Sequence, residues 1–139
     1  MEHIRSRTFG DCGVCCAAMI ANTSYANVMS KVRLRTNQGV YYLDMPEIFA
    51  FLASMGVLPG LVIQPPGKFK SDADVFLVQV PINMDALVTV PGVKEPFLHF
   101  VVWDGAERVI LDPNLDGPTP AEMYDIREWA PMKVWKRFE

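Results

Sequence analysis

Asp11-Cys-Gly-Val-Cys-Cys-Ala-Ala-Met-Ile20 carries all three of the chain's cysteines, at positions 12, 15 and 16, with none elsewhere in 139 residues. Asp11 is a favourable N-cap, so a helix is expected to begin at Cys12. From Val14 to Ala21 nearly every residue is small or apolar, and a helix that is apolar all round is a buried one. Free cysteine is among the most buried residue types, which is reason enough for Cys15 and Cys16. Cys12 differs by position. It stands at the first helical turn, where unpaired N–H groups and the helix dipole favour an anion, so its thiol is expected to ionise more easily than usual.

Outward from this segment, Tyr25–Val32 suggests a second short helix, ended by the basic, turn-prone run Arg33-Leu-Arg-Thr-Asn-Gln-Gly39. Asp44-Met-Pro-Glu47 opens a third helix with proline in its first turn, running to Met55 with Gly56 as its stop. The second half changes character. Leu58–Gln64, Val75–Val80, Phe97–Trp103, Arg108–Leu111 and Lys133–Phe138 are short, rich in β-branched or aromatic residues, and separated by Pro, Gly and Asp. Asp104-Gly-Ala-Glu107 between two of them signals a hairpin. Helices followed by an antiparallel sheet make an α+β fold, with residues 1–139 read as a single domain.

Composition narrows the class. Half of the residues are apolar and 21% are charged, which excludes intrinsic disorder. Thirteen Lys and Arg against sixteen Asp and Glu leave a net charge of −3. With no basic stripe, nucleic acid is not an expected partner. An odd, crowded cysteine set is no disulfide framework, and free thiols suit a reducing cytoplasm. The uncharged stretch Ile48–Gly67 is broken by Gly56, Pro59, Gly60, Pro65 and Pro66, so no membrane-spanning helix is expected.

Three chemistries compete for the thiols. Cys12-Gly-Val-Cys15 has dithiol redox spacing, but that fold needs a buried strand leading into the motif. Met1–Asp11, with Arg5, Arg7 and Asp11, is a poor one. Zinc needs a second ligand pair, and the histidines are only His3 and His99, so no metal or cofactor is expected. A cysteine nucleophile needs a histidine base and a group that orients it. His3 lies in the irregular N-terminus and reads as solvated. His99 sits inside the apolar strand Phe97–Trp103, where an imidazole needs a hydrogen-bond partner. If the hairpin loop is 104–107, Trp103 pairs with Arg108 and His99 faces Asp112, whose carboxylate would set the imidazole's tautomer. A two-residue Asp-Gly turn would set His99 against Ile110 instead. Asp112-Pro-Asn114 is also an ordinary turn initiator.

Asp-Cys-Gly-Val-x-x-x-Ala-Met-Ile resembles the nucleophile helix of the double-glycine (bacteriocin-processing) peptidases, a branch of the papain-like cysteine proteases. Leu98-His-Phe-Val-Val-Trp103 followed by Val109-Ile-Leu-Asp-Pro-Asn114 resembles their histidine and aspartate strands. The resemblance runs from about Gly10 to Asn114 and concerns the peptidase domain standing alone. It implies a papain-like fold in which a buried nucleophile helix packs on the sheet. It further implies Cys12 as nucleophile, His99 as general base and acid, and Asp112 as the orienting group. The family places a glutamine about six residues before the cysteine to complete the oxyanion hole; here Ser6 stands there. The resemblance then leaves Ser6 and the backbone N–H of Cys12 as oxyanion donors, with Thr8 or an arginine as substitutes. The family's Gly-Gly leader substrate does not transfer with the fold.

The expected function is hydrolysis of a peptide or isopeptide bond in a protein or peptide substrate through a Cys12 thioester. The rivals are a deamidase or transamidase using the same site, a binding module that keeps the triad without cutting, and a redox protein using Cys12 and Cys15. Lys31, Arg33 and Arg35 form a small basic cluster. The Pro81–Pro96 connection is a candidate border of a substrate cleft.

Overall fold

The computed structural model describes residues 1–37, 39–59, 75–81, 98–104, 107–120 and 128–134. Within them the chain is a small α+β fold of three helices and two antiparallel sheets. Helix α1 spans Cys12–Ala21 and is buried continuously from Gly13 to Ile20, as its composition requires. It ends at Asn22, whose left-handed conformation lets its N–H close on the carbonyls of Ala18 and Met19. Helix α2 spans Tyr25–Lys31 and starts at Ser24, whose hydroxyl accepts the N–H of Asn27.

The run after α2 was expected to be a turn. It instead forms a small hairpin, strand β1 (Arg35–Asn37) pairing with strand β2 (Val40–Tyr42). Gly39, at φ +80°, sits in the tight connection between Asn37 and Val40. A left-handed residue there suits a hairpin turn, and glycine takes it without penalty. Helix α3 (Met45–Ser54) carries proline in its first turn. The Asp44 carboxylate accepts the N–H of Met45, and Gly56 follows at φ +81°.

The larger sheet holds β3 (Val57–Pro59), β4 (Val75–Pro81), β5 (Leu98–Asp104), β6 (Val109–Leu111) and β7 (Glu128–Val134). They lie in the order β3-β7-β4-β5-β6, all neighbours antiparallel. Strand β7 begins five residues before the expected Lys133. Pro131 lies within it, opposite Phe76 of β4. The expected extensions over 60–64 and 135–138, residue Phe97, and the 82–96 connection lie outside the described residues.

Helix α1 is the centre of the core. It packs on β5 and against α2 and α3, in one apolar cluster that includes Val14, Cys16, Val28, Leu52, Phe100 and Val102. Two glycines permit the closest approaches. Gly10, at φ +93°, has the Tyr41 carbonyl 2.7 Å from where a Cβ would sit, and Gly13 has the Leu43 carbonyl at 2.9 Å. Among the described residues no helix is long and apolar enough to cross a membrane.

Candidate functional site

Asp11 precedes α1 as expected but does not cap it, for its side chain makes no bond to the helix's first turn. The carboxylate is only 4% exposed and turns back toward the preceding loop. There it accepts the backbone N–H groups of Arg7 (2.8 Å) and Thr8 (3.1 Å), the Tyr25 hydroxyl (2.9 Å) and the Ser6 hydroxyl. A buried carboxylate is stable only when hydrogen-bonded, and these four donors meet that need. They also fold residues 6–8 against the start of α1 and tie that start to α2 through Tyr25. The Arg7 guanidinium lies 4.2 Å from the centre of the Tyr25 ring, a cation–π contact. Burial and the bond to Asp11 push the Tyr25 phenol up to about 12.

This network bears directly on Ser6. A hydroxyl has one proton to donate, and the acceptors within reach of the Ser6 hydroxyl are the Asp11 carboxylate and the Thr8 carbonyl. Ser6 therefore serves to satisfy Asp11. To donate to a substrate oxyanion it would have to leave that bond.

The three thiols divide by exposure. Cys15 and Cys16 are fully buried, whereas Cys12 is partly exposed at the helix start. Burial raises the Cys15 thiol well above its ordinary range, with the negative charges of Asp11 and Cys12 adding to the shift. Cys16 is raised in the same way, by burial first and then by the charges of Cys12, Cys15, Asp112 and Asp11. All three cysteines are free. Among the described residues no group of three or more His, Cys, Asp or Glu is placed to hold a metal ion.

Asp112 follows β6 directly and is 5% exposed. Its carboxylate accepts the N–H of Asn114 at 2.9 Å, the turn geometry expected of Asp-Pro-Asn. The β5–β6 register departs from both expected alternatives. Trp103 pairs with Ile110 and Asp104 with Val109, so the loop is 105–108 and Asp104 remains in the strand. The cause is local. The Asp104 carboxylate lies 3.5 Å from the N–H of Glu107, and Arg108 takes the left-handed conformation at φ +57°. Continued one step, this register brings Asp112 level with Val101 rather than His99. Position 99 is two residues further along the strand, diagonal to Asp112 in the backbone ladder. Diagonal pairs stand about 7–8 Å apart, against about 4.5–5.5 Å for opposed ones, a span that long or aromatic side chains bridge. The His99 backbone pairs with Val80. The placement of its imidazole, and so its separation from the Cys12 thiol, lies outside the described residues.

His3 is not the solvated residue that its N-terminal position suggests. Its Nε2 lies 2.7 Å from the Asp112 carbonyl oxygen. A carbonyl only accepts, so Nε2 carries a proton. Ser6 adds a backbone N–H to the Pro113 carbonyl at 2.7 Å, and Arg5 pairs with Asp116. The first six residues thus lie along the Asp112–Asp116 loop as a strap. No hydrophobic periodicity marks this segment, and nothing in its composition signals the attachment.

Compared with known proteins, the chain matches no protein-family model and no curated protein sequence.

Proposed function

We propose that the chain is a papain-like cysteine hydrolase that cleaves a peptide or isopeptide bond through a thioester on Cys12. The observation that carries this reading is the packing of α1 on β5. It sets the helix that begins with the one partly exposed thiol against the strand that carries His99. Asp112, buried after the neighbouring strand β6, supplies the third group of such a triad.

In this mechanism His99 takes the Cys12 proton and the sulfur attacks the substrate carbonyl carbon. The carbon–nitrogen bond then breaks as the imidazolium protonates the leaving amine. Water, deprotonated by His99, attacks the thioester, which releases the carboxylic acid and restores the thiol. The N–H of Cys12, at the N-terminus of α1, is the oxyanion donor. Asp112 orients the imidazole and offsets its positive charge. Cys15 and Cys16, buried and held protonated, take no part.

The Ser6–Asp11 bond favours a second reading, in which the site binds without cutting because the glutamine position supplies no free donor. Losing one oxyanion donor costs about 10²–10³ in rate. One experiment separates these readings. A proteome-derived peptide library is incubated with the wild-type chain and with Cys12→Ala, and the products are read by mass spectrometry. New peptide termini that vanish in Cys12→Ala support hydrolysis. A gain of about one dalton without cleavage points instead to deamidation through the same thioester chemistry. Identical products from both proteins refute catalysis by Cys12.

A further inference from the structure

The basic run at the end of α2 alternates in a way that composition alone does not reveal. Lys31, Arg33 and Arg35 are exposed, while Val32 and Leu34 between them pack against the core. Val32 is extended, at φ −108° and ψ 157°. Lys31 closes α2, Arg33 follows the extended Val32 and Arg35 begins β1, and all three cations are exposed.

They are not equivalent. Arg35 is held by Glu47, with a second contact to the Asp44 carboxylate at 3.5 Å. Both acids facing this segment from the start of α3 are therefore already engaged. Among the described residues neither Lys31 nor Arg33 has an ion pair. These two cations border an open groove of about 280 Å³ between this segment and α3. Val32, Ala50 and Phe51 give the groove an apolar lining, and Ser54 and Glu47 complete it. The Ser54 hydroxyl is bonded to the Phe51 carbonyl at 2.6 Å, so the lining offers little unsatisfied polarity.

We propose that this groove docks an acidic peptide segment, seating one apolar side chain on Val32, Ala50 and Phe51 while adjacent carboxylates meet Lys31 and Arg33. Charge complementarity selects the occupant. The chain as a whole carries −3, yet this edge presents two cations whose nearby acids are already committed to Arg35. Size points the same way, because pockets for whole small ligands run to about 300–1,000 Å³ and this groove takes a side chain or two. A nucleic acid would find only two cations and an apolar lining, with Glu47 at its side. The proposal is independent of the hydrolase reading.

The test is fluorescence anisotropy with the intact chain and a fluorescein-labelled Glu-Glu-Leu-Glu-Glu peptide, run at low and high salt. Glu-Glu-Ser-Glu-Glu, Lys-Lys-Leu-Lys-Lys and a short oligothymidylate serve as comparison probes. The acidic leucine peptide should bind best, and raising the salt should weaken it. Reversing both charges (Lys31→Glu with Arg33→Glu) should weaken binding by about tenfold or more, as expected when complementary charge becomes repulsive. Ala50→Trp, an exposed-position change that fills the groove, should abolish the preference for leucine over serine. Unchanged folding of each variant is checked by circular dichroism. Unchanged affinity in the charge-reversed protein, equal binding of the serine peptide, or preference for oligothymidylate overturns the proposal.

Discussion

Replacing Gly13 by alanine sets two opposed effects against each other at the start of the thiol-bearing helix. Alanine is favoured over glycine inside a helix by about 1 kcal/mol, so helix propensity alone predicts a more stable protein. The new Cβ, however, would stand 2.9 Å from the Leu43 carbonyl oxygen, 3.1 Å from the Leu43 Cβ and 3.2 Å from the Ile48 Cδ1. The nearest obstacle is backbone. Leu43 and Ile48 are 1% and 0% exposed, so neither has free space into which to retreat. Overpacking of this kind costs about 1–3 kcal/mol. With rigid neighbours the upper part of that range applies, which leaves a net loss of about 1–2 kcal/mol after the propensity gain. For a chain of this length that corresponds to a Tm lower by about 3–8 °C. Urea unfolding should show a lower midpoint at unchanged slope. Ala50→Gly, at an exposed position of α3, calibrates propensity in the same protein and should cost about 0.5–1 kcal/mol. Glycine-to-alanine and alanine-to-glycine changes would then both destabilise. A Gly13→Ala protein as stable as wild type, or more so, would refute the close packing of α1 on the segment that enters α3.

Native-state alkylation with iodoacetamide, followed by peptide fragmentation, should label Cys12 at least about 10³-fold faster than Cys15 or Cys16. A fully buried thiol reacts only through openings that cost several kcal/mol; comparable labelling of Cys15 would contradict its burial. Asp11→Ala leaves four donors without their acceptor and should destabilise by roughly 2–4 kcal/mol, measured by denaturant titration; a neutral outcome would mean that the network does not hold residues 6–8. The Tyr25 phenol is raised from 10 to about 12, so the fold keeps its proton more tightly than the unfolded chain does. Its contribution is therefore complete below pH 10 and is lost as pH climbs through 12. Thermal melts across that window should show a decline that is smaller in Tyr25→Phe, and an identical decline in both proteins would remove Tyr25 as its cause.

Much of the local structure was legible without coordinates because its causes are local. The continuous apolar run after Cys12, the Asp-x-Pro opening of α3 and Gly56 each mark an element through propensity or capping, which act over a few residues. The β1–β2 hairpin was missed because its strands are too short to show alternation, and Gly39 is its one signal. The early start of β7 is hidden because proline is depleted in strands and Pro131 falls within it. The candidate site is legible as residue types and chain order, but not as geometry. Asp11 satisfies every sequence criterion for an N-cap and is used otherwise, because donors from the loop before it and from α2 compete for the same carboxylate.

The sequence by itself determined the three helices and the strands β4, β5 and β6, and that one thiol stands at a helix start while two follow into its buried body. Those outcomes rest on residue size, hydrophobicity and spacing along the chain. Only the tertiary structure decided the partners. His3 reaches the Asp112 carbonyl across 109 positions, and no local pattern encodes a contact of that range. The offset between His99 and Asp112 turns on where a single loop closes. In a ladder that pairs residues one against one, keeping Asp104 in the strand shifts every partner beyond it by two.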